Sequence, residues 1–277
     1  MQKFLKVNRF AFVTALFVRL FIVKLFKRKK VELSDEEVKI LDTLKRDGIV
    51  VIPNYFSSDD CITMRKEFDT FVDKHSLYCP EHERRIFGID KLSDRVRNIF
   101  SSDSLSWKVC EAYLGEEMIL QTTMSARIDY KEGIEYGSGG SWHRDSYSRQ
   151  IKSIAYLTDM TEENGPFMYI KGSHKFFNIV KDILNRRQKP ANFSRYTDTE
   201  IEIYTKRFKE NITYFPCKAG TLILADIRGL HTTRYLRSGF AYSIFNYYIA
   251  KYDDNFKNSD LGQIESKCIN GEDVKKN

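Results

Sequence analysis

The strongest constraint in this chain is a set of three residues. His143 and Asp145 form a His-x-Asp pair directly after a glycine-rich run at 137–140, and His231 closes the segment ADIRGLH. On an extended segment, residues two apart project to the same face, so His143 and Asp145 can serve one ligand site. A second imidazole brought to that face gives two histidines and one carboxylate. That donor set suits non-haem Fe(II) and leaves three coordination positions open. An isolated His-x-Asp carries little weight, because it arises by chance in many proteins. Scarcity and context add weight. The chain has five histidines, His75, His82, His143, His174 and His231, and His143 and His231 both adjoin strand-like sequence.

The segments WHRDS (142–146), TEENGPFMYIKGSHK (161–175) and GTLILADIRGLH (220–231) together resemble the phytanoyl-CoA dioxygenase family of Fe(II)/2-oxoglutarate oxygenases. The resemblance runs from 48 to 250, and the combination is specific although each piece alone is not. It implies a mainly β fold with flanking helices, a double-stranded β-helix of the jelly-roll, cupin-like type. It also implies that His143, Asp145 and His231 are the iron ligands and the catalytic set. Implied cofactors are Fe(II) and 2-oxoglutarate as cosubstrate, with ascorbate as reductant. Implied partners are O2 and a small or lipid-linked organic substrate. Halogenating relatives replace the carboxylate with a small residue, so Asp145 points to hydroxylation. His174 belongs to a GSH segment that is a structural turn in this family, and it is not expected to ligate.

One departure stands out. The family places an arginine about ten residues after the distal histidine to pair with the far carboxylate of 2-oxoglutarate. Here that position is Ala241. A buried carboxylate without a cationic partner is several kcal/mol out of balance, so another cation is expected to compensate. Arg237 is the first candidate, followed by Lys152 on the strand after Asp145 and by Arg234. If none compensates, the chain is a catalytically altered or non-catalytic relative on the same barrel. A metal-free lectin-like sandwich is disfavoured, because it leaves the two histidines and the aspartate unexplained.

The formal net charge of +7 is concentrated at one end. Residues 1–30 carry nine Lys/Arg and no acid, which leaves 36 basic against 38 acidic residues in the rest. A near-neutral body is not the footprint of a nucleic-acid-binding domain. Without Pro or Gly, residues 1–30 are expected to be helical. Arg19 limits the charge-free run to 10–18, short of the roughly twenty apolar residues a spanning helix needs. No small-residue cleavage site follows. Three readings stay open: an interfacial helix with snorkelling cations and a KRKK cluster (27–30) suited to an anionic lipid surface, a helix packed on protein, and a span. With 277 residues, one large β domain or two small ones are possible. The organisation expected here is an N-terminal helix over 1–30 and one oxygenase-like unit over 31–277. The five cysteines are odd in number and lack CxxC spacing. That argues against a disulfide scaffold and fits a reducing, cytoplasmic setting, with 1–30 at the inner face of a membrane.

Along the chain, Ser34 and Glu37 form a capping box for a helix with Val38, Leu41 and Leu44 on its apolar face, and Gly48 ends it. A strand at 49–56, a second helix from 57 and a third over 104–115 precede the barrel. Arg84, Arg85, Arg95 and Arg97 are interleaved with acids and read as a solvated face. The Gly/Ser loop at 137–141 reads equally as a flexible site lining and as a hairpin connection. Residues 176–213 read as a polar helical insertion over the substrate mouth, 241–250 as an aromatic strand that packs the core, and 251–277 as a fraying tail.

Overall fold

The computed structural model describes residues 8–26, 29–78, 82–101, 105–134, 140–186, 188–209, 212–251 and 260–272. It opens with α1 (Arg9–Phe26), α2 (Asp35–Asp47), β1 (Ile49–Ile52) and α3 (Ser58–His75). A short β2 (Leu77–Tyr78), β3 (Glu83–Phe87), α4 (Ile89–Leu92), α5 (Asp94–Ile99) and α6 (Leu105–Leu114) lead to the long β4 (Met118–Asp129). Then follow β5 (Gln150–Tyr156), β6 (Phe167–Ile170), α7 (Phe176–Asn185), α8 (Asp198–Phe208), β7 (Ile212–Phe215), β8 (Leu222–Asp226), β9 (His231–Thr233), β10 (Phe240–Ala250) and α9 (Asp260–Asn270).

The strands form two antiparallel sheets, the larger in the order β1-β8-β5-β10-β4-β3-β2 and the smaller in the order β7-β6-β9. This is the double-stranded β-helix with flanking helices. Strand β10 sits centrally, with side chains buried on both of its faces. Its pairings Ala241↔Ile128, Ser243↔Ala126 and Phe245↔Met124 on β4 continue to Ser243↔Tyr156, Phe245↔Ile154 and Tyr247↔Lys152 on β5. Directly paired residues share a face, so Lys152, Ile154, Tyr156, Ala241, Phe245 and Tyr247 all point into the barrel. Pairing of Glu83 with Ile128 and of Arg85 with Ala126 puts both β3 side chains on that same inner face.

The opposite face of the large sheet carries Tyr242, Ile244 and Tyr248 and is covered by α2, α3 and α6 through Leu41, Leu44, Met64, Phe68, Val109 and Leu114. Each such side chain contributes about 1.5–3 kcal/mol on full burial. A buried polar line crosses this face: Thr123 Oγ1 donates to Asn246 Oδ1 (2.7 Å), and Asn246 Nδ2 donates to Ser153 Oγ (3.0 Å).

The capping box of α2 forms as expected, with Glu37 N donating to Ser34 Oγ (3.3 Å) and Ser34 N to Glu37 Oε2 (2.8 Å). Leu41 and Leu44 are buried but Val38 is exposed, because α2 lays only a narrow stripe on the sheet. Gly48 ends the helix at φ +83°, and a Cβ there would lie 2.3 Å from His174 Nδ1. Residues 176–213 are not one helical stretch: α7 and α8 flank a linker, and 212–213 already belong to β7. The expected fraying tail contains α9, which buries Glu265 and Cys268. Of the described cysteines, Cys61, Cys110 and Cys217 are free thiols.

Helix α1 forms and rests on the body. Phe12, Val13 and Leu16 pack against Ile179, Ile183 and Tyr147, and Phe10, Phe17 and Val18 stay exposed. Among the described residues no helix is long and apolar enough to cross a membrane. Of the basic cluster at 27–30, positions 27 and 28 lie outside the described residues, as do 137–139 of the Gly/Ser loop.

Candidate metal centre

The two segments that carry the candidate ligands meet as neighbouring strands. His143 pairs with His231 in an antiparallel bridge, each backbone N–H donating to the other's carbonyl at 3.0 Å. A directly opposed pair places its side chains on one side, and the His143 and His231 ring centroids lie 4.4 Å apart. Asp145, two residues on, is anchored by its N–H to Ile227 O (3.0 Å) and returns its carboxylate to the same side. His143 Nε2 lies 3.1 Å and His231 Nε2 3.5 Å from Asp145 Oδ1, and the three ligand atoms all fall within 4.8 Å of one another.

The remaining ring nitrogens fix the tautomers. His143 Nδ1 is 2.9 Å from Ser141 O, and His231 Nδ1 is 2.9 Å from Gly229 O. A carbonyl only accepts, so each Nδ1 carries a proton and each Nε2 is the nitrogen turned to the centre. His231 Nε2 is buried and makes no hydrogen bond within the described protein. Burial, reinforced by the neighbouring His231, pushes the His143 pKa down to about 4, so this ring is neutral at physiological pH. Burial would raise the Asp145 carboxyl, but the Lys152 ammonium together with the two neighbouring histidines outweighs it and holds the group well below the usual carboxylate range. The neutral His143 nitrogen and the anionic Asp145 oxygen therefore face one another beside His231 Nε2. Mutual repulsion of this kind is relieved by a cation at the centre, and the donor set is the one expected of Fe(II).

Side chains behind the ligands hold this geometry. On the extended segment Arg144 points away from His143 and Asp145 and is fully enclosed. Its Nη1 donates to Ser173 O (2.9 Å) and to Arg228 O, its Nε donates to Tyr196 Oη (3.1 Å), and its Nη2 lies 3.3 Å from Asp182 Oδ2. Asp226 and Arg228 form a buried ion pair, and Tyr113 Oη donates to Asp226 Oδ2 (2.6 Å). Ser173 Oγ accepts from Leu230 N (2.8 Å), so the GSH turn braces the loop that ends in His231. His174 lies outside the ligand set, with Nε2 3.1 Å from Lys45 O.

The ligands open into a cavity of about 370 Å3 between the sheets, within the size range of small-molecule sites. Its described walls include Met124, Ile154, Phe167, Phe245, Tyr247 and Leu261, and the cations on it are Arg85, Lys152 and Arg195. Lys152 pairs with Asp145 Oδ2 and sits 4.6 Å from the Tyr247 ring centroid, with its side chain only 12 % exposed. Arg195, from the linker between α7 and α8, is the point at which that insertion lines the site.

Arg237 is placed elsewhere, which corrects the first candidate for the missing arginine. The β9–β10 loop pairs with the TEENG turn through the bridge Asn164↔Leu236. That contact holds Arg237 outward, 56 % exposed and 3.5 Å from Glu163 Oε1. Arg234 lies over the Tyr214 ring (5.8 Å), away from the cavity walls. Ala241 does face inward, but into the apolar cluster with Tyr156, Phe167 and Leu236. Sequence reasoning also missed Arg85, read there as part of a solvated face. Its signal was the two-residue spacing from Glu83 on a strand whose inner face became visible only through the register with β4.

The fold and site define a class: a jelly roll carrying two histidines and one carboxylate at the mouth of an internal cavity. The model of the phytanoyl-CoA dioxygenase (PhyH) family matches residues 44–241, and the chain belongs to that family. Ectoine dioxygenase of Halomonas elongata is 25 % identical over 156 residues, covering 50 % of this chain and 46 % of that protein. The chain thus spans about half the length of the curated relatives it first matches. Among solved structures, EctD from S. alaskensis with 2-oxoglutarate and 5-hydroxyectoine superposes with a TM-score of 0.61 at 19 % identity, covering 82 % of this chain and 83 % of that one. The epimerase SnoN with Fe3+, alpha ketoglutarate and nogalamycin RO gives a TM-score of 0.59 at 15 % identity over 78 % and 84 % of the two chains.

Proposed function

We propose that this protein is a non-haem Fe(II)/2-oxoglutarate-dependent dioxygenase that hydroxylates a small or lipid-linked organic substrate, with residues 31–277 as the oxygenase unit. The observation that carries the reading is the convergence of two imidazole Nε2 atoms and the Asp145 carboxylate, one of those nitrogens buried and, among the described residues, without a hydrogen bond. His143, Asp145 and His231 would hold the iron. When bound, Fe(II) with 2-oxoglutarate and O2 supplies the oxidising chemistry, and ascorbate would serve as the reductant that maintains the ferrous state.

The chain's own residues prepare that centre. Carbonyls of Ser141 and Gly229 accept the Nδ1 protons, which orients both rings and raises their basicity as ligands. Asp145 stays ionised because Lys152 lies against its outer oxygen. Lys152 is also the cation that meets the far carboxylate of 2-oxoglutarate, in place of the family's arginine at the position of Ala241. Its support is its place on the inner face of β5, its enclosure and its long flexible stem. Exclusion of water falls to Phe167, Phe245 and Leu261 on the cavity wall.

The test is anaerobic titration, first of Fe(II) and then of 2-oxoglutarate. Wild type should bind both. Lys152→Ala should bind Fe(II) and lose 2-oxoglutarate affinity at least tenfold, and Arg237→Ala should match wild type. Iron binding without any 2-oxoglutarate binding in wild type would replace this reading with the altered-relative one.

Residues 1–30 would add a peripheral contact with an anionic membrane surface on the cytoplasmic side. Nine cations without an acid, together with Phe10, Phe17 and Val18 exposed on α1 and Phe177 on α7, support this.

A further inference from the structure

Beyond the ligands and Lys152, the cavity reaches β3, where a charged pair lies on its wall. Glu83 and Arg85 share the inner face. Arg85 Nε pairs with Glu83 Oε1, and the Glu83 side chain is only 1 % exposed. Among the described residues this is the one hydrogen bond or ion pair that Arg85 makes, so its Nη ends are unclaimed. The Arg85 side chain is 20 % exposed and lines the cavity. A guanidinium fixed through Nε by a buried carboxylate keeps its fork for a planar oxyanion, the geometry at which arginine excels. Small residues leave it room, since Arg85 lies directly opposite Ala126, which lies opposite Ser243.

We infer that Arg85, positioned by Glu83, receives an anionic group of the substrate, so that the substrate is a small carboxylate or like oxyanion. This rests on the reading of the site as an Fe(II)/2-oxoglutarate centre, with Lys152 serving the cosubstrate. The probes are small carboxylates such as cyclohexanecarboxylate and phenylacetate, with their primary amides and the matching amines. Line broadening of their NMR signals by the bound ferrous ion is read anaerobically, with and without 2-oxoglutarate. The acids should be broadened at concentrations at least tenfold lower than the amides and amines. Arg85→Gln should remove that preference, and Arg85→Lys should keep part of it. Fe(II) and 2-oxoglutarate affinities of Arg85→Gln should equal those of wild type, which also shows that the variant is folded. Equal broadening by acids, amides and amines, no broadening by any acid, or an acid preference that survives in Arg85→Gln would overturn the inference. So would a tenfold loss of 2-oxoglutarate affinity in Arg85→Gln, which would make Arg85 the cosubstrate's anchor. If wild type binds Fe(II) but not 2-oxoglutarate, the cosubstrate reading falls alone, because the acid preference is still measured on the ferrous protein.

Discussion

His143 links the site to pH. Its folded pKa of about 4 lies below the ordinary 6.5, so the folded protein binds fewer protons than the unfolded chain between those values. The contribution is intact above about pH 6.5 and is lost as pH falls toward 4, on the order of a few kcal/mol in the metal-free protein. Urea unfolding at about pH 7.5 and about pH 5 should show that loss in wild type and a flatter dependence in His143→Gln. A wild-type stability that rises on acidification would contradict this origin. At this scale the three candidate ligands were legible as a set, because their chemistry is local and histidine is scarce in the chain. The partners were legible only in part: Lys152 stood among the candidate cations because of its strand, whereas Arg144 and Arg85 look like any surface cation until the backbone pairing says which way each points. Arg237 was chosen for nearness in sequence, and the bridge between its loop and the TEENG turn turned it outward.

Two glycines separate what the elements do for stability from what they do for the site. At Gly48, the junction of α2 and β1, a Cβ would meet both the left-handed backbone and His174. Gly48→Ala should cost about 1–3 kcal/mol in urea unfolding and leave metal affinity unchanged. At Gly229 a Cβ would lie 1.8 Å from Tyr169 Oη, on the turn that leads into β9. Gly229→Ala should therefore lower Fe(II) affinity as well as stability, by displacing both the carbonyl that orients His231 and the ring itself. Equal metal affinity in the two variants would show that the turn does not set the ligand. The capped helices and the strand-rich second half were readable in sequence, since capping boxes and β-branched or aromatic runs act locally. The α9 helix was not. Its short apolar stripe means little until β3 and the cavity rim give it a surface, where Leu261 becomes part of the wall.

The whole chain divides by charge, with its excess at 1–30 and a near-neutral remainder. Packing of Phe12, Val13 and Leu16 on the body shows that one side of α1 is used structurally, and the other side holds Phe10 and Phe17. Protein lacking residues 1–30 should stay folded, with modestly reduced stability, and should lose affinity for anionic liposomes at low salt. Full-length protein that ignores such liposomes would leave α1 a packing element only. Its helical character was plain in the sequence, and its seat on α7 was not, because a helix apolar on nearly every side does not declare which side is covered.

The most direct measurement is calorimetric titration of Fe(II) into the metal-free protein under anaerobic conditions, for wild type, His143→Ala, Asp145→Ala and His231→Ala. The account predicts a single site per chain in wild type, its loss in each variant, and unchanged far-UV circular dichroism in all four. Undiminished iron binding in any one of the three variants, or no binding in a folded wild type, would contradict it.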